Sequence, residues 1–438
     1  MPGGLLNIVS YGTQNIILNG NPSKTFFKGV YAKYTNFGVQ KYRVDYNGQR
    51  SLRLNEDTTI TFKIPKHADL ITDAYFVINL PDIWSPIVPP QDYTDCWKPY
   101  EFKWIEHIGY NMLKKVKLMI GSQRIQEFSG EYLKNLIDRD FNTDKKEMVY
   151  KMIGHTKELY DPANAFDRLN RYPNSFYIPN PESTTVIPEP SIRGRTLYIP
   201  LQFWFSQSSK LALPINAIQY SEISIEVTIR SIRELIRIND VNLSKSQGFT
   251  RNQIQPDFRI DWHQLYRFLQ KPPDINISSE SYGNKPTNWN DDMHLLVTYV
   301  YLTDEERKVF ASKEQRYLIK DIKEDIITNV VGNRRVKIES NGLASNWMWF
   351  FRRNDSYLRN EWSNYTNWKY ISIPPIKLIE APEESALIIN GQRIGPGKDF
   401  TNIIDFTSVI PNAFSLYSTN YFITDIQTIE NVKEIMTH

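Results

Sequence analysis

Six histidines, His67, His107, His155, His263, His294 and His438, are the side chains best suited to hold a metal or move a proton near neutral pH. Their spacing argues against both uses. No His-x-His, His-Glu-x-x-His or Cys-x-x-Cys run places two ligands on one strand or helical turn. Each histidine is therefore expected to be exposed or hydrogen-bonded, with no metal and no cofactor. The carboxylate pairs Asp138/Asp140 and Glu383/Glu384 have no evident partner base and are read as solvated charge. Neither a phosphate-binding glycine loop nor a dinucleotide fingerprint is present, and the GQRIGPG run from Gly391 to Gly397 reads as a tight turn. The basic pairs Arg334-Arg335 and Arg352-Arg353 are expected in surface ion pairs. The single cysteine, Cys96, excludes an intramolecular disulfide framework, fits a reducing compartment and reads as a small buried or loop thiol. Four Asn-x-Ser/Thr acceptors, Asn242, Asn276, Asn354 and Asn364, leave sugar on exposed loops as an open reading. No catalytic residue is predicted.

The whole-chain balance agrees with a scaffold rather than a reaction centre. At 438 residues the chain can bury two or three cores. Fifty-two basic against 49 acidic residues give a net charge of +3, so composition forces no basic surface and no nucleic-acid partner is expected. The opening MPGGLLNIVSYGTQ lacks the basic n-region and apolar run of a signal peptide, which predicts synthesis in the cytosol. No window approaches the roughly 18 to 20 apolar residues of a membrane span. An aromatic content of 13% with 25 prolines points to strands joined by elaborated loops.

The elements are legible from alternation. Ile223, Ile225, Val227 and Ile229 face one way, and Glu222, Ser224, Glu226, Thr228 and Arg230 the other, the pattern of a strand with one buried side. Leu197, Ile199 and Leu201 repeat it upstream, and an aromatic corner, Phe203, Trp204 and Phe205, lies between. Ile60, Phe62 and Ile64 alternate with Thr59, Thr61 and Lys63, and Ala74, Phe76, Ile78 and Leu80 with Tyr75, Val77 and Asn79. Residues 81 to 105 read as a long ordered loop because of five prolines. Val116, Leu118 and Ile120 resume the alternation before a Gly121-Ser122 turn. Ser129 is a predicted N-cap for a short helix carrying Leu133, Leu136 and Ile137, and residues 161 to 190 read as a surface loop. Leu296 to Leu302 is apolar on both faces, a central strand. Thr303 with Glu306 predicts a capping box before Val309 and Phe310, followed by a further strand.

Four separated stretches carry a family resemblance. The run TLYIPLQFWFSQSSKLALPINAIQYSEISIEV, residues 196 to 227, resembles the FWF, LALP and QY segments of the major capsid proteins of nucleocytoplasmic large DNA viruses. So do residues 1 to 37 with GGLL, GNP, TFFK and TNF, residues 299 to 320 with YLTDEER, and the aromatic run at 346 to 368. The resemblance implies an all-β double jelly roll, two consecutive eight-stranded β-sandwiches, and a shell protein of the virion assembled in the host cytoplasm. It further implies homotrimers forming pseudo-hexagonal capsomers, neighbouring capsomers and minor capsid proteins as partners, and an internal viral membrane nearby.

The expected layout is an N-terminal arm over 1–24, a first jelly roll over 25–235, a linker or loop region over 236–290 and a second jelly roll over 291–438. Family members carry further Gly-Leu-Tyr and Gln-Pro-Ser-Gly segments in their final strands. These are missing here, so the second barrel is expected to be short, divergent or truncated. A competing reading is a jelly-roll attachment or glycan-binding virion protein, in which Trp347, Trp349 and the aromatic residues through Trp368 form an exposed site.

Overall fold

The structure, a computed structural model, describes residues 35–46, 48, 51–88, 98–168, 171–175, 189–239, 241, 253–273, 278–328, 330, 333–338, 344–353, 356–365, 387–389 and 392–394. Eight strands build its main body: β1 (Gly38–Val44), β2 (Thr58–Lys63), β3 (Leu70–Leu80), β4 (Leu113–Ile120), β5 (Gln123–Phe128), β6 (Arg195–Pro200), β7 (Ile223–Ile229) and β8 (His294–Tyr301). One sheet runs β1-β8-β3-β6, with the short Leu213–Pro214 strand sharing the β3 edge with β6. The other runs β2-β7-β4-β5. Strands 1, 3, 6 and 8 thus lie in one sheet and 2, 4, 5 and 7 in the other, the interleaved winding of a jelly roll. Every pairing between these strands is antiparallel.

The period-2 pattern decides which face of each strand is buried. Along β7, Ile223, Ile225, Val227 and Ile229 are buried while the intervening residues are half-buried. Its outer face forms cross-strand pairs with both neighbours: Lys117 with Glu226 at 2.5 Å, and the hydroxyls of Thr59 and Thr228 at 3.2 Å. Phe62 from β2 meets Phe76 from β3 edge-on at 6.2 Å, so the two sheets share one core. Val77, assigned outward by alternation, is also buried, opposite Tyr198 and His294 in the register. Phe203, Trp204 and Phe205 turn into the core as a single 3-10 turn, with Phe203 also 5.1 Å from Phe128.

Ser129 caps helix α1 (Gly130–Asp140), its hydroxyl accepting from the Tyr132 amide at 3.2 Å. A second helix, α2 (Thr143–Met152), is capped by Asn142 and has only one buried residue, Val149. Its apolar periodicity is too sparse to mark it in the sequence. The described residues of the 81–105 stretch are irregular apart from short strands at Ile87–Val88, Lys98–Pro99 and Lys103–Trp104. Its Tyr100, Phe102 and Trp104 are core residues.

Four expectations are corrected. The strand at 294–301, on which the sequence reading opens a second barrel, instead sits between β1 and β3 and completes the first. Being central, it is apolar on both faces, and alternation alone cannot say which sheet receives it. Residues 236–290 are likewise no linker: Ile236, Ile238, Phe258, Leu265, Tyr266, Phe268 and Tyr282 belong to the same core. Arg267 in that stretch is fully buried, its guanidinium 4.9 Å from the Trp262 ring and 2.6 Å from Asp261 Oδ2.

The third correction concerns helix α3 (Asp304–Ser312), which follows β8 without the predicted capping box. Thr303 makes no side-chain cap bond, and the helix is anchored instead by Arg307, which donates to both oxygens of buried Asp69 at 2.8 and 3.2 Å. Fourth, residues 313–320 form no strand after α3, and the Trp347–Phe351 stretch forms none either. Farther along, Leu387–Ile389 and Gln392–Ile394 pair antiparallel; Gly391 and positions 395–397 of the GQRIGPG run lie outside the described residues.

Candidate assembly surface

Among the described residues no group of three or more histidine, cysteine, aspartate or glutamate side chains is placed to hold a metal ion. Cys96, His438, Glu383, Glu384, Asn242, Asn276 and Asn354 lie outside the described residues. Asp138 accepts from Tyr150 and Lys134, and Asp140 is paired with Arg139 at 2.5 Å, so this carboxylate pair is used in local salt bridges. Asn364 is half-buried and its amide donates to Glu361 at 2.9 Å, which does not present it as a glycan acceptor. Of the basic pairs, Arg334 and Arg335 are exposed, whereas Arg352 reaches Glu131 within the chain at 3.0 Å.

Two histidines widely separated in sequence meet in space. His107 and His155 stack face to face, ring centroids 3.7 Å apart and planes within 6°. Tyr160 extends the stack from His155 at 4.8 Å, and Tyr150 meets both imidazoles edge-on. Burial holds both imidazoles below the ordinary histidine range, His107 at about 3. A separation of 48 positions conceals this pair from any short-motif search.

A strap formed by residues 356–365 crosses the first barrel beside this stack. Asn360, in the left-handed region at φ 54°, donates from its side-chain amide to the carbonyls of Arg233 and Ile236 at 2.7 and 2.8 Å. Trp362 is buried under the Arg230 guanidinium, 3.9 Å from its ring centre, and its Nε1 donates to Glu234 O at 3.0 Å. Glu361 pairs with Arg237 at 3.0 Å, Ser363 accepts from Asn111 Nδ2 at 2.7 Å, and Tyr365 donates to Glu131 at 3.1 Å. These bonds join positions more than 120 residues apart, which no local pattern encodes.

Trp362→Ala is expected to cost about 3 kcal/mol, from the emptied volume and the lost cation–π contact. Chemical denaturation measures it; a loss below about 0.5 kcal/mol would mean the strap is not held by this residue.

Between helix α3 and the strap, the described residues are mostly exposed and carry apolar side chains. Trp349 is 78% and Phe351 74% exposed, and Trp347 and Phe350 are exposed beside them. Exposed aromatic surface of this extent on an ordered β scaffold is the kind that meets a partner.

Eight interleaved antiparallel strands in two facing sheets define a jelly-roll protein. The family described as "Major capsid protein N-terminus" matches residues 25–303, ending two residues past β8. The chain belongs to this major capsid protein family. It is 30% identical over 323 residues to capsid protein 1 of Acanthamoeba polyphaga mimivirus, covering 74% of this chain and 44% of that protein. It is also 30% identical over 373 residues to the major capsid protein of Chrysochromulina ericina virus, covering 79% and 56%. Among solved structures, PBCV-1 VP54, fitted into a reconstruction of the virophage Sputnik, aligns over 68% of this chain and 50% of its own, with 20% identity and a TM-score of 0.41. The chain spans about half the length of the curated relatives it matches.

Proposed function

We propose that the protein is a shell subunit of the virion of a large DNA virus, acting as a scaffold rather than an enzyme. The observation that carries this reading is the coincidence of the family match at 25–303 with the eight interleaved strands at 38–301. In the proposed assembly the chain pairs this barrel with a second jelly roll built from residues after 303. Three copies then bring six barrels around a threefold axis to make a nearly hexagonal block. Neighbouring capsomers, minor capsid proteins and an internal membrane are the proposed surroundings, and nucleic acid is not a direct partner.

Exposed apolar side chains between helix α3 and the strap support self-association, because burying them in a contact between copies removes them from water. Light scattering on the purified chain is expected to give three times the mass of one copy at micromolar concentration; a stable monomer would count against the shell reading. The exposure of Trp347 and Trp349 favours a second reading, an attachment or glycan-binding virion component. Copy number in purified particles separates the two: thousands per particle fit a shell subunit, a few tens fit a spike or minor component.

A further inference from the structure

The stacked histidines are placed where a change in their charge would be felt beyond their own turn. His107 is itself left-handed, at φ 48°, and starts the Ile108–Asn111 helical turn. The next residue but one, Gly109, donates its amide to Ile153 O at 2.9 Å, and a Cβ there would lie 2.8 Å from that same oxygen. The turn and the segment after α2 are therefore in backbone contact, with the two imidazoles lying across the join. Asn111 at the end of the turn holds Ser363 of the strap, and Lys134, whose ammonium lies near the stack, also sits 4.7 Å over the Tyr365 ring.

Neither imidazole has room for a second proton. Nδ1 of each is buried with no hydrogen-bond partner, so a proton added there would meet no acceptor. The charged groups facing the pair offer little compensation. From α1, Lys134 repels a second positive charge, and Asp138 is already committed to Lys134 and Tyr150. From the other side come the Tyr150 and Tyr160 rings, with Asp161 beyond them paired to Lys103 at 3.2 Å. Just before the turn, Glu106 keeps an exposed edge, and partial desolvation pushes its carboxyl up, tempered by Arg237.

We propose that His107 and His155 form a proton-sensitive clasp that closes the helical flank of the barrel and, through Asn111 and Lys134, keeps the 356–365 strap seated. The closed clasp requires both rings neutral, whereas in an opened state each ring titrates near its ordinary value of about 6.5. Closure is thus fully favoured above that value and is lost as pH falls through it; for His107 the loss levels off only near its folded value of about 3. Glu106 acts in the opposite sense, since a carboxyl whose folded value is raised favours the closed state as pH falls.

Between pH 7.5 and 5, His107 alone shifts the opening equilibrium about thirtyfold, and His155, lowered by burial in the same direction, adds to that shift. Hydrogen exchange on the full chain reads this at the Gly109 and His155 amides, after correction for intrinsic exchange rates. His155→Phe retains a ring for the stack and removes one titration. The pH dependence of opening should be steeper in the wild type than in His155→Phe, a comparison in which Glu106 cancels. Protection at the strap amide of Asn364, which donates to Glu361 O at 3.1 Å, should fall in step in the wild type. Equal pH dependence in the two proteins would overturn the clasp, and a strap that stays protected while Gly109 opens would overturn the coupling. Should His155→Phe fail to fold, NMR titration of the wild-type imidazoles decides: an imidazole titrating near 6.5 in the folded protein refutes the proposal.

Discussion

Ile225→Asp is expected to abolish soluble folding, while Thr228→Asp, three residues along the same strand, leaves the barrel intact. Ile225 lies at the centre of β7, opposite Phe62 on one side and Leu118 on the other, and all three are buried. Replacing it removes a packed side chain and puts a carboxylate into the core without a partner. Together these cost about 5 kcal/mol or more, comparable with the whole stability of a typical domain. Thr228 points to the other face, opposite Thr59 and Lys115, where a carboxylate has water and a nearby ammonium. Its replacement should change stability by no more than about 0.5 kcal/mol. Soluble yield and urea denaturation compare the two. Similar behaviour of both variants would show that the face assignment of β7 is wrong. If Thr228→Asp folds normally but fails to assemble, that face meets another copy.

The first barrel was largely legible because its strands obey a simple rule. Where one face is buried and the other wet, as in β2 and β7, alternation reveals both the strand and its inward residues. The rule loses power where both faces are covered. The apolar residues of β8 mark a central strand, but its place between β1 and β3 depends on pairing with residues more than 200 positions earlier. The sequence reading therefore ended the first barrel one strand too soon. Phe268 and Tyr282 were hidden for a related reason: one reaches the core from a single helical turn, Tyr266–Leu269, and the other from irregular backbone, and neither is long enough to show a period.

The functional surfaces were legible to a lesser degree. The aromatic run containing Trp347 and Trp349 stands out by composition, and its exposure fits a contact with a partner, whether another copy or a glycan. The strap depends on Asn360 and Trp362 finding backbone carbonyls and a guanidinium on the first barrel, contacts with no local signature. The capping box at Thr303 shows the reverse failure. A sequence motif was present, but buried Asp69 gave Arg307 a better anchor for the helix than the cap would have supplied.

Gly130→Ala is expected to destabilise the barrel by about 3 kcal/mol, reversing the usual effect of alanine in a helix. Gly130 is the first residue of α1 and packs against the backbone of residues 110–113. An added Cβ would lie inside the contact radius of Tyr110 O, 2.6 Å from Leu113 O and 2.9 Å from the Tyr110 carbonyl carbon. These obstacles are backbone atoms, so no rotamer change relieves them, and the helix must lift away from β4. The displaced first turn carries Glu131, the acceptor for Arg352 and Tyr365, so the strap should loosen together with the helix. Gly283→Ala provides the control, since no atom lies within 4 Å of its Cβ position and its φ is not positive. That substitution should be neutral or stabilising by up to about 1 kcal/mol, through the unfolded state. Thermal or urea denaturation distinguishes the pair. A Gly130→Ala protein as stable as the wild type would show that α1 does not pack against residues 110–113 as closely as its backbone contacts require.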